Sequence, residues 1–565
     1  MFRFFYLCII FVSILFANDN QQREIKNEIE RIKIYEQNIK TSNLENSQKN
    51  DIKTLLYDED LCFKIDKILL SGDKNLKTKF ILDSFLKKVK FKSGICLGEK
   101  GINAIINGFN NELISYGYIT SYAVLGNTNL KSKKLIIKIN YGKINKILIN
   151  EEVNDRNNAS LFTAFGEINH QKPLNMRNIE TAIENISNAT FGNVDISISP
   201  SENEGFSDIF ISRTQRALPL SLQLSLDNYG SKETGSYQGV ISLSAVNLFG
   251  FNEIYTFNYG GAIFYKKNTY LNDEKKHGNS NNFYGNFKIP FGNFSIDYTH
   301  SRYNYNQVIA GAYNLYQYSG VSRFNKLNLS YLLYRNQNIK FTPFFAIFKR
   351  ESKNYIDEFE LDNQKRITAG YELGAKLDIY FTNSFLSTNI AYKKGTGMLG
   401  AIPAPEQLLG EGTSRMRLWL LDITYNKNFL NNFNYEINFH AQYNKTPLTN
   451  QDKISIGGVY SVRGFDGEMS LIGQKGFYIK NTLSYNYHKN NYFYLAFDGG
   501  IVYDSNSNYN GKNKLLGAGL GFKGNISSNY YGGLSYDFLI AKPLKKPNFF
   551  LSKSPVFNFS LTYYF

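Results

Sequence analysis

From about residue 218 to its end the chain alternates. Phe433, Tyr435, Ile437, Phe439, Ala441 and Tyr443 are interleaved with Asn434, Glu436, Asn438, His440 and Gln442. At the C-terminus Phe557, Phe559, Leu561, Tyr563 and Phe565 are interleaved with Asn558, Ser560 and Thr562. A period of two places the two sets on opposite faces of a strand. One apolar and one polar face suit a strand between lipid and a wet lumen, and also one layer of a soluble sandwich. Residues 215–565 are long enough for about sixteen antiparallel strands of bacterial-barrel length.

Upstream the period changes. Residues 61–141 read as a strand (62–70), two helices (76–89 and 101–116) and two strands (118–125 and 135–140). The second helix gathers Ile102, Ile105, Ile106, Phe109 and Leu113 on one face. Residues 142–214 repeat the order: a strand at 144–149, helical segments at 161–165 and 175–188, strands at 195–199 and 208–213. Here Ile179, Ile183 and Ile186 form the apolar stripe. Before these units, residues 18–40 form a polar helix with a thin stripe of Ile25, Ile29, Ile32 and Ile39, and 41–60 form an Asn/Ser-rich linker.

Composition supports the strand reading. The chain holds 42 Tyr and 45 Phe against a single Trp, and 44 Gly against 11 Pro, which suits many strands with glycine turns rather than a helical enzyme. Residues 1–17 read as a secretory signal, with Arg3 before an apolar core from Phe4 to Phe16 and Ala17 at a cleavage position. No later apolar run is long enough for a spanning helix, so a membrane domain here has to be a barrel, closed so that no backbone edge meets lipid. The formal net charge is +16, but Lys and Asn are scattered and no basic helix emerges, so nucleic acid is not an expected partner. Cys8 falls in the signal. Cys62 and Cys96 remain, both in the first unit and in an oxidising compartment, and a disulfide between them is expected, worth about 3–4 kcal/mol.

One stretch refuses to alternate: Ile456-Gly457-Gly458-Val459-Tyr460-Ser461-Val462-Arg463-Gly464-Phe465-Asp466-Gly467-Glu468. Its glycines interrupt strand pairing and admit positive φ. A guanidinium enclosed among apolar flanks calls for a carboxylate, whereas an ordinary hairpin would leave Arg463 in solvent. The chemistry alone leaves both readings open. The words Val462-Arg463-Gly464-Phe465 resemble the conserved loop motif of the outer-membrane translocation superfamily, and most of all its two-partner-secretion branch, the haemolysin secretion/activation transporters. Other segments agree with that resemblance. The β-α-α-β-β units resemble polypeptide-transport-associated (POTRA) domains, whose first member often carries a Cys pair. Leu226-Asp227-Asn228-Tyr229-Gly230 resembles the family's first barrel hairpin, and Phe565 its outer-membrane sorting end.

The resemblance implies a loop folded into the barrel, with Val462, Arg463, Gly464 and Phe465 as its gating tip and Asp498 as the barrel-wall partner of Arg463. The family's wall motif is Phe, any residue, Asp, and here Ala496 stands in place of the Phe. It further implies two periplasmic POTRA domains, a helix at 18–40 plugging the lumen, and a monomer in the bacterial outer membrane. The partner would be a large secreted β-helical exoprotein, captured unfolded and exported without ATP. A sheet edge beside a helix in either unit could accept such a chain as an added strand. Competing readings are a barrel-assembly insertase of the same superfamily, a porin and an outer-membrane enzyme. Gly517-Ala518-Gly519-Leu520-Gly521 mimics a dinucleotide loop but has no helix after it, and the five His show no metal spacing. No catalytic residue, metal or cofactor is expected.

Overall fold

The computed structural model describes residues 59–71, 76–152, 154–167, 172–264, 267–269, 275–310, 315–504, 511–528 and 532–565. The expected signal segment, the polar helix and nearly all of the 41–60 linker lie outside these residues. No described helix is long and apolar enough to cross a membrane.

In the first unit, helices α1 (Leu76–Lys88) and α2 (Glu99–Ser115) cover a three-stranded sheet. Lys134–Asn140 lies at its centre, with Lys67–Ser71 parallel on one side and Tyr122–Leu125 antiparallel on the other. Phe85, Ile105, Phe109, Leu113, Leu135 and Ile137 fill the space between. The strand expected at 62–70 is broken at Asp66. Its start, Phe63–Ile65, pairs with Ile95–Leu97 instead, with Lys64 opposite Cys96. The Cys62–Cys96 disulfide, Cα–Cα 5.3 Å, holds that detour in place. Helix α2 starts two residues before the expected 101, because Glu59 reaches its first turn. The Glu59 carboxylate accepts from the N–H groups of Gly98 (3.2 Å), Lys100 (2.8 Å) and Gly101 (3.0 Å). Glu59 therefore belongs to this unit rather than to the linker.

The second unit repeats the plan with α3 (Asp155–Phe165) and α4 (Met176–Asn188) over Lys143–Ile149, Phe206–Arg213 and Val194–Pro200. Helix α3 begins six residues before the expected 161. Its first turn is polar and shows no apolar period, and it is set instead by Asn154, whose side chain accepts from the Asn157 N–H. Asn175 caps α4 in the same way through Arg177.

Sixteen long antiparallel strands then close a barrel, from Leu220–Asp227 to Val556–Tyr564. The seam pairs Ser560 with Asp227 through to Tyr564 with Gln223. The distribution of side chains is inside out. Ile241, Tyr259, Leu495, Phe497, Leu520 and Ile540 stand exposed on the outer wall, while Gln238, Asn258, Asn282, Glu372, Gln442 and Asp498 are buried within. A soluble sandwich would bury the first set, so this pattern separates the two readings that periodicity left open.

The second unit is fastened to the barrel end where its chain enters. Ser160 Oγ donates to the Gly250 carbonyl (2.8 Å), Arg156 to the Asn247 carbonyl (2.7 Å) and Asn185 to the Gly292 carbonyl (3.0 Å). Gly292 (φ +60°) makes a turn whose N–H returns to the Thr163 carbonyl, and Phe162 meets Phe291 edge-on at 4.9 Å. Glu184 accepts from Arg335 (2.6 Å) and Lys340 (2.7 Å) on the barrel. Burial works against the charge of Glu184, but Lys340 and Arg335 outweigh it and hold its carboxyl below the ordinary 4.5.

Candidate functional site

Residues 445–474 leave the far end of the barrel after Phe433–Asn444 and turn back into its lumen before Lys475–His488. A short ladder forms the stem: Ile454 pairs with Gly473, Ser455 with Ile472 and Ile456 with Leu471. The tip then reverses on glycines. Gly457, Gly458 and Gly464 have φ of +118°, +115° and +105°, values that side-chain-bearing residues rarely adopt. Space demands glycine as well: a Cβ on Gly464 would lie 2.6 Å from the Lys542 carbonyl oxygen.

Arg463 is buried at the wall. Its Nε donates to Asp498 Oδ2 (2.7 Å), its Nη2 to Asp498 Oδ1 (2.8 Å), and its backbone N–H to Oδ2 (2.9 Å). Nη2 also donates to the Asn481 carbonyl (2.9 Å) and Thr482 Oγ1 (3.0 Å). Asp498 is fully buried and takes a further bond from the Asn481 N–H (3.1 Å). The fork-to-fork geometry satisfies both carboxylate oxygens, the condition under which a buried ion pair is tolerated. The Gly-rich run at 517–521 lies on the strand Gly511–Ser528. A Cβ on Gly517 would sit 1.9 Å from the Arg463 carbonyl oxygen, so this glycine admits the loop backbone against the wall. Ala496 packs with Tyr494 on its own strand and with Leu539 and Ala541 two strands away, across the glycines of Gly511–Ser528, in a small apolar cluster.

Val462 and Phe465 flank the cation inside an apolar cluster with Ile456, Tyr478, Val502, Leu515 and Phe550. Phe465 meets Phe550 edge-on at 5.4 Å. Polar contacts extend the tip to both sides of the seam. The Lys553 N–H donates to Asp466 (3.0 Å) and the Lys232 N–H to Glu468 (3.1 Å), while Tyr460 stacks edge-on against Tyr229 at 5.8 Å.

A second attachment, at the root of the loop, has no counterpart among the expected site residues. Asp452 lies 3.4 Å from Arg350 Nη1 and 3.7 Å from Lys393 Nζ, on the strands Ile339–Ile356 and Ser384–Thr396. Beside it Gln451 Nε2 donates to Ser352 Oγ (2.6 Å). The wall thus supplies cations to the root of the loop and an anion to its tip. These residues come from three distant segments, and a lone Asp in Thr-Asn-Gln-Asp-Lys reads as a solvated turn; only an unpaired cation on the inward face of each strand could have hinted at them.

An inside-out barrel with a closed seam, periplasmic-type βααββ units at its entrance and a polar lumen crossed by a tethered loop defines an outer-membrane β-barrel transporter. The family model for haemolysin secretion/activation protein ShlB/FhaC/HecB matches residues 205–524, more than half of the chain, and the chain belongs to that family. The model for the ShlB-type POTRA domain matches residues 63–142. Outer membrane transporter CdiB-2 of Burkholderia pseudomallei (strain 1026b) is 27% identical, with 90% of this chain and 87% of that protein covered. Hemolysin transporter protein HpmB of Proteus mirabilis is 24% identical, covering 84% of this chain and 81% of its own. Among solved structures, CdiB from Acinetobacter baumannii superposes with a TM-score of 0.81 at 26% identity, covering 98% of this chain and 99% of that one. The protein is accordingly an outer-membrane transporter of the two-partner-secretion type, with its POTRA domains in the periplasm.

Proposed function

We propose that this transporter captures a large exoprotein, unfolded, in the periplasm and passes it outward through the barrel while the Arg463 loop yields. The observation that carries the reading is the tether itself: a loop whose tip is stapled to the wall of a polar lumen by a buried Arg–Asp pair is held firmly, yet by contacts that can be released together. A polar inner wall offers an extended chain hydrogen-bond partners without a binding sequence. Net direction comes from folding of the client outside, since a folded client cannot slide back. The transporter works as a monomer.

Capture is by strand addition, and the two units offer unequal edges. In the first unit Asn110 of α2 occupies one of the two edge strands, Tyr122–Leu125: its Nδ2 donates to the Ala123 carbonyl (3.1 Å) and its Oδ1 accepts the Ala123 N–H (2.6 Å). A side-chain amide there takes the place an incoming strand would need. In the second unit Val194–Pro200 lies at the sheet edge, paired only with Phe206–Arg213, and it is the edge to which the client adds.

The test is co-expression with a large secreted repeat protein, taken from the neighbouring reading frame if that frame encodes one, followed by assay of the culture medium. Export that requires this chain supports the reading. A client retained in the periplasm, with the transporter present at normal level in the outer membrane, overturns it.

A further inference from the structure

The wall strands that hold the loop on their inner side carry unneutralised cations on their outer side. Lys475 (on Lys475–His488), Lys512 and Lys514 (on Gly511–Ser528) and Lys545 (on Gly532–Lys545) all lie at the strand ends remote from the periplasmic units. Alternation puts Lys512 and Lys514 on the outward face in step with exposed Leu520, and Lys475 there through its partner Tyr503, in step with Phe497 and Leu495; Lys545, out of step with exposed Ile540 on its own strand, comes beside Leu516 through the register shift at Leu516/Gly517. The register brings them together. Tyr503 stands between Lys475 and Lys512, Ile501 pairs with Lys514, and Leu516 pairs with Lys545. Lys475 lies over the Tyr443 ring at 5.9 Å and Lys512 over Tyr503 at 5.8 Å, while Lys514 and Lys545 stand near Leu516 on adjacent strands.

All four are exposed, and none forms an ion pair among the described residues. The carboxylates of the same strands turn inward: Asp498 to Arg463, Asp504 to Lys453 (3.0 Å) and Asp537 to Tyr494 (2.6 Å). The sequence is as one-sided, for residues 505–565 contain seven Lys, one Asp, and neither Arg nor Glu. Like charges gathered on one face repel unless an anion joins them. Their setting fixes which anion that is. Lys475 and Lys512 lie over aromatic rings, and all four residues stand at the outer end of the barrel, where lysines on a lipid-facing wall meet the headgroups. Neighbouring strands are about 4.8 Å apart, so the four ammonium groups spread over about 10–15 Å, the span of a headgroup with more than one phosphate.

We propose that this face binds a lipid of the outer leaflet whose headgroup carries phosphate groups, with Lys475, Lys512, Lys514 and Lys545 as its ligands. Such a lipid braces the wall segment that anchors the loop: Leu515, between Lys512 and Lys545's partner Leu516, points inward to the cluster around Val462 and Phe465.

The test measures binding of diphosphorylated lipid A to the purified full-length protein in detergent, by native mass spectrometry and by the shift in thermal unfolding. The parallel arms are lipid A stripped of phosphate, and inorganic phosphate. Lys512→Gln/Lys514→Gln/Lys545→Gln is expected to lose at least tenfold in affinity. Lys427→Gln, on the outward face at the opposite end of Arg417–Phe429, is expected to bind as the parent does. Heat-modifiable mobility on gels checks that each variant is folded, and Lys514→Gln/Lys545→Gln replaces the triple variant if that one is not. Unchanged affinity in the lysine variants, or equal binding of the phosphate-free lipid, overturns the proposal. Equal binding of inorganic phosphate overturns it too, by making the patch a free-anion site.

Discussion

Replacing Arg463 by alanine separates the stability of the barrel from the closure of its lumen. The substitution removes four side-chain hydrogen bonds: two to Asp498, one to the Asn481 carbonyl and one to Thr482. It leaves a fully buried carboxylate with only the N–H groups of Arg463 and Asn481 as donors. An orphaned buried charge costs about 3–5 kcal/mol. The loop can escape that cost by withdrawing from the wall, so the expected outcome is a folded barrel with a displaced loop. Heat-modifiable gel mobility should remain that of the parent, conductance in planar bilayers should rise, and export should fall sharply. Adding Asp498→Ala removes the orphaned charge, and the double variant should regain part of the lost stability; a coupling of about 2 kcal/mol or more is expected of so enclosed a pair. Arg463→Lys should resemble the alanine variant, because one ammonium cannot reproduce the planar fork. Normal export from Arg463→Ala at normal protein level, or strictly additive effects in the double variant, would refute the reasoning.

Three further outcomes are expected. Asp452→Asn weakens the second attachment, leaving Arg350 and Lys393 in excess, and should raise conductance while the Arg463 contacts persist; bilayer recordings check it. Glu184 has its carboxyl held below 4.5, so its contribution to docking the second unit is complete above that pH and is lost as pH falls through the lower folded value. Limited proteolysis of the 142–214 unit should accelerate on acidification, and Glu184→Gln should show the loosened state already at pH 7, at a cost of about 2–3 kcal/mol. Cys62→Ser should cost the first unit about 3–4 kcal/mol for a bridge closing a separation of 34 residues. Proteolysis of that unit should quicken while the mobility of the barrel stays unchanged.

The parts of the fold legible in the sequence were those with an unbroken period. Two-residue alternation at 433–443 and 557–565 marked the strands, and the isoleucine stripes at 102–113 and 179–186 marked two helices. Where local chemistry replaces periodicity the reading fell short. Helix α3 starts on a polar turn capped by Asn154, and the first strand breaks at Asp66 because its start is drawn to Ile95–Leu97 beside the disulfide. At Arg463 the glycines marked a reversal, but the chemistry left a buried and a solvated cation both open, and the family motif decided between them. Asp498 was found through the family motif, since nothing local distinguishes an inward Asp on a strand of inward polar residues. Asp452, Arg350 and Lys393 lay out of reach, because register across distant strands brings them together and spacing does not.

The most direct test of a yielding loop is a reversible lock. A Cβ built on Gly500 lies 3.1 Å from Val462 Cγ2, about the separation of a Cβ from the far sulfur in a disulfide. The measurement is export of the client by Val462→Cys/Gly500→Cys, oxidised and then reduced, with each single Cys variant carried through the same reductant. The account predicts no export while the bond is closed and recovery once it opens. Export at the parental rate through the oxidised, locked barrel would contradict it.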